Sequence, residues 1–335
     1  MANFNMLWLQ SSGCGGCTMS LLCAESPPLF EQLSWQGINL LWHPALSEAS
    51  GQEVQSLLSD LEQGRESLDL LCIEGAVAQG PDGTGDFSRL PGTGRSMMSW
   101  LQGLSTRANY VVAVGSCAAY GGVSAGGDNP SDATGAQYAG ERLGGLLGEA
   151  FRSRGGLPVI NISGCPIHPQ WVLESLASLV RGEMTLQDLD ELGRPRSYTD
   201  HLVHHGCPRN EYYEYKASAQ QHSQQGCLME HLGCIGTQAH ADCNIRLWNG
   251  GGSCLRGGYA CINCTAPEFE NPGYGFLSTP KVAGIPIGLP TDMPKAWFVA
   301  LSSLSKAAMP ARLRENALSD HQLMAPKIYY KNKRR

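Results

Sequence analysis

The chain has 335 residues, 42% hydrophobic and only 16% charged, with a formal net charge of −6. That length supports one large domain or two smaller ones, and so apolar a composition excludes a disordered chain. The acidic balance gives no electrostatic footprint for nucleic acid, and no apolar run reaches the length of a membrane span.

Taken in chain order, the first residues carry no basic n-region, no twin arginine and no small-residue cleavage site, so the expected compartment is the cytoplasm. Short apolar runs at 5–9, 38–42, 68–73, 110–114 and 158–162 are predicted strands. Between them, 53–61, 96–104 and 169–180 read as helices, the last with a stripe of Val172, Leu173, Leu176, Leu179 and Val180. Strands alternating with helices predict an α/β fold with a parallel, doubly wound sheet. From His201 to Cys264 the texture changes: seven cysteines, many glycines and little periodicity, a segment in which metal ligands stand in for a hydrophobic core. Residues 294–306 read as a helix entered through Pro294. The chain closes on a basic tail (Lys327, Lys331, Lys333, Arg334, Arg335), either a solvated terminus or a docking contact for a partner protein.

Thirteen cysteines in a reducing compartment argue against disulfides, and an odd count leaves one thiol over. Metal ligation and burial as small hydrophobes remain, and spacing separates them. Three loops that each follow a predicted strand carry cysteine: Gly13-Cys14-Gly15-Gly16-Cys17-Thr18, Gly115-Ser116-Cys117-Ala118 and Gly164-Cys165-Pro166. In an open parallel sheet the carboxyl ends of the strands share one edge, where ligands bind. Cys14, Cys17, Cys117 and Cys165 are therefore expected to converge, and four thiolates are what a 4Fe–4S cluster takes. The flanking glycines let backbone amides approach the cluster sulfurs. A zinc ribbon would combine two local Cys-x-x-Cys pairs, and a redox dithiol would leave Cys117 and Cys165 without a role. Thr18 and Glu74 are candidates for hydrogen bonding around this site. Glu74 ends the third strand at the same edge, beside the cluster or a subunit interface, or as a loop-capping carboxylate.

A second set comprises His204, Cys207, Cys227 and Cys234. Exchanging one thiolate for imidazole removes a negative charge, which raises a cluster's potential and suits an exit near the surface. On spacing alone His205 is an equal candidate. Cys243, Cys254, Cys261 and Cys264 form a third set. Eleven of the thirteen cysteines are then used, and Cys23 and Cys72 read as core residues.

Six segments in order resemble the small subunit of nickel–iron hydrogenases over nearly the whole chain: Gly13–Thr18, Ile73-Glu74-Gly75, Gly115–Gly122, Gly164-Cys165-Pro166, Val203–Arg209 and Cys261–Cys264. The resemblance implies a flavodoxin-like domain over 1–190 with the proximal cluster. It further implies an irregular domain over 191–285 with the distal and medial clusters, followed by a helix and basic tail over 286–335. It matches Cys14, Cys17, Cys117 and Cys165 to the proximal cluster, and His204, rather than His205, with Cys207, Cys227 and Cys234 to the distal one. Cys243, Cys261 and Cys264 match the invariable medial ligands. Cys254 stands where many periplasmic relatives have proline, which implies a medial 4Fe–4S cluster, or 3Fe–4S if Cys254 is not a ligand. Thr18 and Gly122 stand where the oxygen-tolerant branch adds cysteines, so an ordinary proximal 4Fe–4S cluster is implied. Cys227 and Cys234 stand one residue further apart than in the periplasmic form. The nickel–iron site and H2 cleavage belong to the large subunit in this family. No catalytic residue is expected in this chain, which would carry electrons away from its partner in a heterodimer or dimer of heterodimers. Cys254 and the run 286–297 look like the cytosolic branch, closest to regulatory, H2-sensing hydrogenases that signal to a histidine kinase. A cytoplasmic uptake hydrogenase is the alternative.

Overall fold

The computed structural model describes residues 4–24, 27–282, 284–286, 289 and 294–326. The basic tail and much of the run 286–297 lie outside the described residues. The chain forms two compact units, one of Met1–Asp200 with Cys264–Pro272, the other of His201–Asn263 with Gly273–Arg335.

Five parallel strands build the first unit: β1 Phe4–Gln10, β2 Ile38–Trp42, β3 Leu70–Glu74, β4 Tyr110–Val114 and β5 Ile160–Ile162, in the order β2-β1-β3-β4-β5. This is the doubly wound, flavodoxin-like order. β3 is buried along its whole length, as expected of a central strand covered on both faces. Helix α2 (Leu29–Trp35) precedes β2, and helices α3 (Gln52–Gln63) and α4 (Met97–Ser105) press Leu58, Leu61, Leu101 and Leu104 against Leu71 and Val111. Cys72 points to the opposite face and is fully buried, a core residue as expected. Cys23 is not: it lies partly exposed just past helix α1 (Gly16–Leu21), with its thiol donating to Met19 O at 3.5 Å. Strand β5 starts two residues later than its apolar run, because Pro158 has no N–H to give the ladder.

Register makes the ligand edge. Gln10 pairs with Glu74, Glu74 with Val114 and Val114 with Ile162, so four strands end level and their loops leave side by side. Helix α5 (Ser116–Tyr120) follows β4 and α6 (Pro169–Val180) follows β5, α6 with proline in its first turn and His168 Nδ1 accepting from Gln170 N at 3.2 Å.

This unit runs past the boundary expected at 190. On the short helix α7 (Arg196–Thr199), the Tyr198 ring stacks on Trp171 at 4.3 Å between centroids, and its hydroxyl accepts from Ser163 N at 3.1 Å. Residues 264–272 also return to it. Thr265 O accepts from Ser163 Oγ at 2.8 Å and from Arg194 Nη1 at 3.0 Å, and Cys264 O accepts from the Ser116 hydroxyl.

The second unit carries little regular structure before its C-terminal helices. Its short turns, the 3₁₀ turn Val203–Gly206 and helix α8 (Asn210–Glu214), precede α9 (Lys295–Ala307) and α10 (Ala311–Ala317). One small apolar cluster joins Tyr213, Cys227, Met229, Leu289 and Phe298, and another Ala217, Leu313 and Ala317.

Candidate metal centres

The ligand edge of the first unit brings Cys14, Cys17, Cys117 and Cys165 together. Cys14 sits in the loop after β1, Cys17 in the first turn of α1, Cys117 in the first turn of α5, and Cys165 between β5 and α6. The thiols are close enough that the charge of Cys117 and Cys165 acts on Cys17, and that of Cys14 on both Cys117 and Cys165. Burial pushes the Cys17 and Cys117 thiols up, so each resists ionising without a cation beside it. Backbone amides oppose that effect: Gly16 N donates to Cys14 Sγ at 3.3 Å, Ile167 offers its amide to Cys17, and Val123 and Ser124 offer theirs to Cys117.

Two glycines are dictated by this packing. A Cβ on Gly115 would stand 2.5 Å from Cys17 Sγ, and one on Gly122 would stand 2.9 Å from Cys117 Sγ; both have positive φ, +93° and +51°. Half-buried Cys17 and Cys117 beside exposed Cys14 and Cys165, amides aimed at sulfur and backbone held bare around them fit an iron–sulfur cluster. Among the described residues, no three His, Cys, Asp or Glu side chains close on one point as a single metal ion requires.

Glu74 lies under this edge, 4% exposed. Its carboxylate accepts from Trp8 Nε1 at 3.0 Å, Gln10 Nε2 at 3.1 Å, Thr18 N at 3.0 Å and the Thr18 hydroxyl. It therefore ties the first turn of α1 to the ends of β1 and β3, and its negative charge adds to the upward push on Cys17. His43 completes the chain. Its Nδ1 accepts from Ala45 N at 3.0 Å, which leaves the proton on Nε2, 3.1 Å from Thr18 Oγ1. Burial lowers the His43 pKa, so the ring is neutral. Thr18 thus accepts from His43 and donates to Glu74.

In the second unit one cavity is lined by His204, Cys207, Cys227 and Cys234, with Arg209 and Tyr213 beside them. The His204 ring meets Tyr213 edge-on, 4.3 Å between centroids. His205 faces solvent, and its Nδ1 accepts from Leu202 N at 3.4 Å. Burial pushes Cys207 up to about 11 and Cys227 up to about 12, and raises Cys234 as well. Amides of Arg209, Met229 and Gly236 point at the three sulfurs respectively. The donor set and its amides suit a cluster in the same way as the first.

The third set is divided between the units. Cys243, Cys254 and Cys261 belong to the second and Cys264 to the first. Within the second, Asn244 Nδ2 donates to Val203 O at 2.8 Å, fastening the Cys243 loop to the turn that carries His204. Asn263 N approaches Cys261 Sγ at 3.5 Å, and Cys254 is exposed.

Sequence reasoning missed His43, Ser116 and Arg209. Ser116 Oγ accepts from Gly164 N at 2.9 Å and donates to Cys264 O, joining loops that carry three cysteines. Its position directly before Cys117 is the only local signal.

Comparison with known proteins matches the chain in two parts. Residues 14–179 match the family described as NADH ubiquinone oxidoreductase, 20 Kd subunit, and residues 199–276 match the C-terminal family of NiFe/NiFeSe hydrogenase small subunits. The F420 non-reducing hydrogenase II small subunit of Methanosarcina mazei is 35% identical over 296 residues, 81% of this chain and 74% of that one. The periplasmic NiFeSe hydrogenase small subunit of Desulfomicrobium baculatum is 30% identical over 79% of this chain and 84% of its own. Among solved structures, the actinobacterial-type NiFe-hydrogenase of Ralstonia eutropha H16 superposes with a TM-score of 0.75 at 26% identity, covering 93% of each chain. With this fold, these cysteine-bearing loops and these relatives, the chain belongs to the small subunits of nickel–iron hydrogenases.

Proposed function

We propose that this chain relays electrons within a hydrogenase complex through three 4Fe–4S clusters. The first is held by Cys14, Cys17, Cys117 and Cys165, the second by His204, Cys207, Cys227 and Cys234, and the third by Cys243, Cys254, Cys261 and Cys264. Such clusters, when bound, store and release single electrons. The observation that carries the reading is the level ending of β1, β4 and β5, which delivers four cysteines to one edge. The chain's own contribution is to desolvate the thiols, aim amides at them and keep His204 in the cavity with the distal cysteines. Hydrogenase small subunits work in heteromeric hydrogenases beside a large subunit, and hydrogenase activity belongs to that complex.

The test is an anaerobic count of iron, zinc and acid-labile sulfide, with EPR, on the chain co-produced with its large subunit. About twelve irons beyond those of the large subunit support three four-iron clusters. Zinc without sulfide refutes the reading.

The finer role we favour is H2 sensing in the cytoplasm with a histidine kinase as partner, on the resemblance around Cys254 and 286–297. An uptake hydrogenase uses the same ligands and needs no kinase. Co-purification of a kinase, abolished by removing residues 326–335 together with H2-dependent transcription, supports sensing; H2 oxidation coupled to metabolism without either supports uptake.

A further inference from the structure

Arg209 is placed where three cysteine loops of the second unit meet. Its backbone N donates to Cys207 Sγ at 3.4 Å. Its Nη1 donates to Gln224 O and Gly226 O, both at 2.6 Å, on the approach to Cys227. Its Nε donates to Leu255 O at 3.3 Å, next to Cys254. One side chain therefore fastens the loops of Cys207, Cys227 and Cys254 to each other.

Every one of these side-chain acceptors is a neutral carbonyl. Three acids of this unit are engaged elsewhere, Glu211 with Arg312, Glu230 with Lys306 at 3.4 Å and Asp242 with Arg246 at 2.6 Å. Among the described residues, no carboxylate pairs with Arg209. A half-buried guanidinium without a counter-ion is costly, and loop fastening alone does not require a charge. It shares one cavity with Cys207, Cys227 and Cys234, whose sulfurs carry negative charge only as thiolates holding a metal group.

We propose that Arg209 is the fixed counter-charge of the distal ligand set, and that it also holds the Cys254 loop in place beside that set. This rests on the ligand assignment proposed above. Adding one electron to the group held by His204, Cys207, Cys227 and Cys234 raises its negative charge by one. A guanidinium that keeps its proton favours that state without any proton moving. The electron is thereby drawn toward the distal set and away from the group that Cys254 helps to hold.

The experiment is an EPR-monitored redox titration of the whole complex, with iron and sulfide counted on the same samples. Arg209→Gln removes the charge and keeps hydrogen bonding; Arg209→Lys keeps the charge and loses the fork. Arg209→Gln should shift the electron equilibrium between the two groups at least tenfold away from the distal set, about 59 mV for a one-electron couple. Arg209→Lys should stay near the wild-type balance. A wild-type balance in Arg209→Gln at full iron content overturns the proposal. If Arg209→Gln fails to retain iron, Arg209→Lys decides: a tenfold shift in that charge-preserving variant overturns the proposal as well. Failure of the underlying reading is separate, because the wild-type complex would then contain no acid-labile sulfide.

Discussion

Replace Glu74 by glutamine, and a buried donor loses its acceptor whichever way the amide turns. One carboxylate oxygen accepts from Trp8, Gln10 and the Thr18 hydroxyl, the other from Thr18 N. The less costly rotamer keeps oxygen on the first side and sets its NH2 against the Thr18 amide. Orphaning that amide costs about 1–3 kcal/mol, and loss of charge assistance in the other bonds adds roughly 1 kcal/mol. The total of about 2–4 kcal/mol falls on the first turn of α1, which carries Cys17. At about 1.4 kcal/mol per decade, local opening should rise roughly thirty- to several-hundred-fold. The assay is anaerobic bleaching of cluster absorbance in moderate urea with an iron chelator, under conditions where reclosing outpaces iron capture. Glu74→Gln should accelerate the proximal phase by that factor, with Cys23→Ser as a control that leaves it unchanged. An acceleration of less than about threefold, with an unaltered proximal EPR signal, would refute the claim that Glu74 secures the Cys17 turn.

His204→Ala should cost about four irons per chain, whereas His205→Ala should cost none; equal losses would reject the preference for His204. Cys254→Pro should remove about one iron and create a three-iron EPR signal in the oxidised protein, and an unchanged count would take Cys254 off the ligand list. Because burial lowers the pKa of His43, the unfolded chain takes up a proton near pH 6.5 that the folded chain refuses. Its contribution to stability is complete above that pH and falls as pH drops below it. The urea midpoint of the wild type should therefore decline more steeply from pH 7 to pH 5 than that of His43→Gln, and parallel declines would show that His43 carries none of the effect.

The sheet was legible because its signals are local. Strands at 38–42 and 110–114 and the helix at 169–180 follow from short apolar runs and a 3.6-residue stripe, and the loops between them carry the cysteines. The edge on which Cys14, Cys17, Cys117 and Cys165 meet follows from parallel topology once the strands are known. What escaped was non-local. Glu74 is recognisable as an edge residue, but its bond to Trp8 joins two strands far apart in sequence, and His43 enters only through Thr18. Nothing near Cys264 says that its segment returns to the first unit, since that return depends on the hydroxyls of Ser116 and Ser163 and on Arg194. Cys23 misled because an apolar neighbourhood was read as burial, when the chain there has already left its helix.

The small apolar clusters of the second unit bear on how the protein is made and how long it lasts. Groups such as Ala217, Leu313 and Ala317 bury little surface for the entropy of ordering the irregular chain around them. Metal ligation by the proposed cysteine sets would add folding free energy of its own. A newly synthesised molecule would then be half finished: the strands of its first unit can close at once, while the remainder waits for cluster delivery. With the clusters held as proposed, that half is what proteases should meet first in a cell short of iron, and the abundance of the protein should follow the iron supply even when its synthesis does not change.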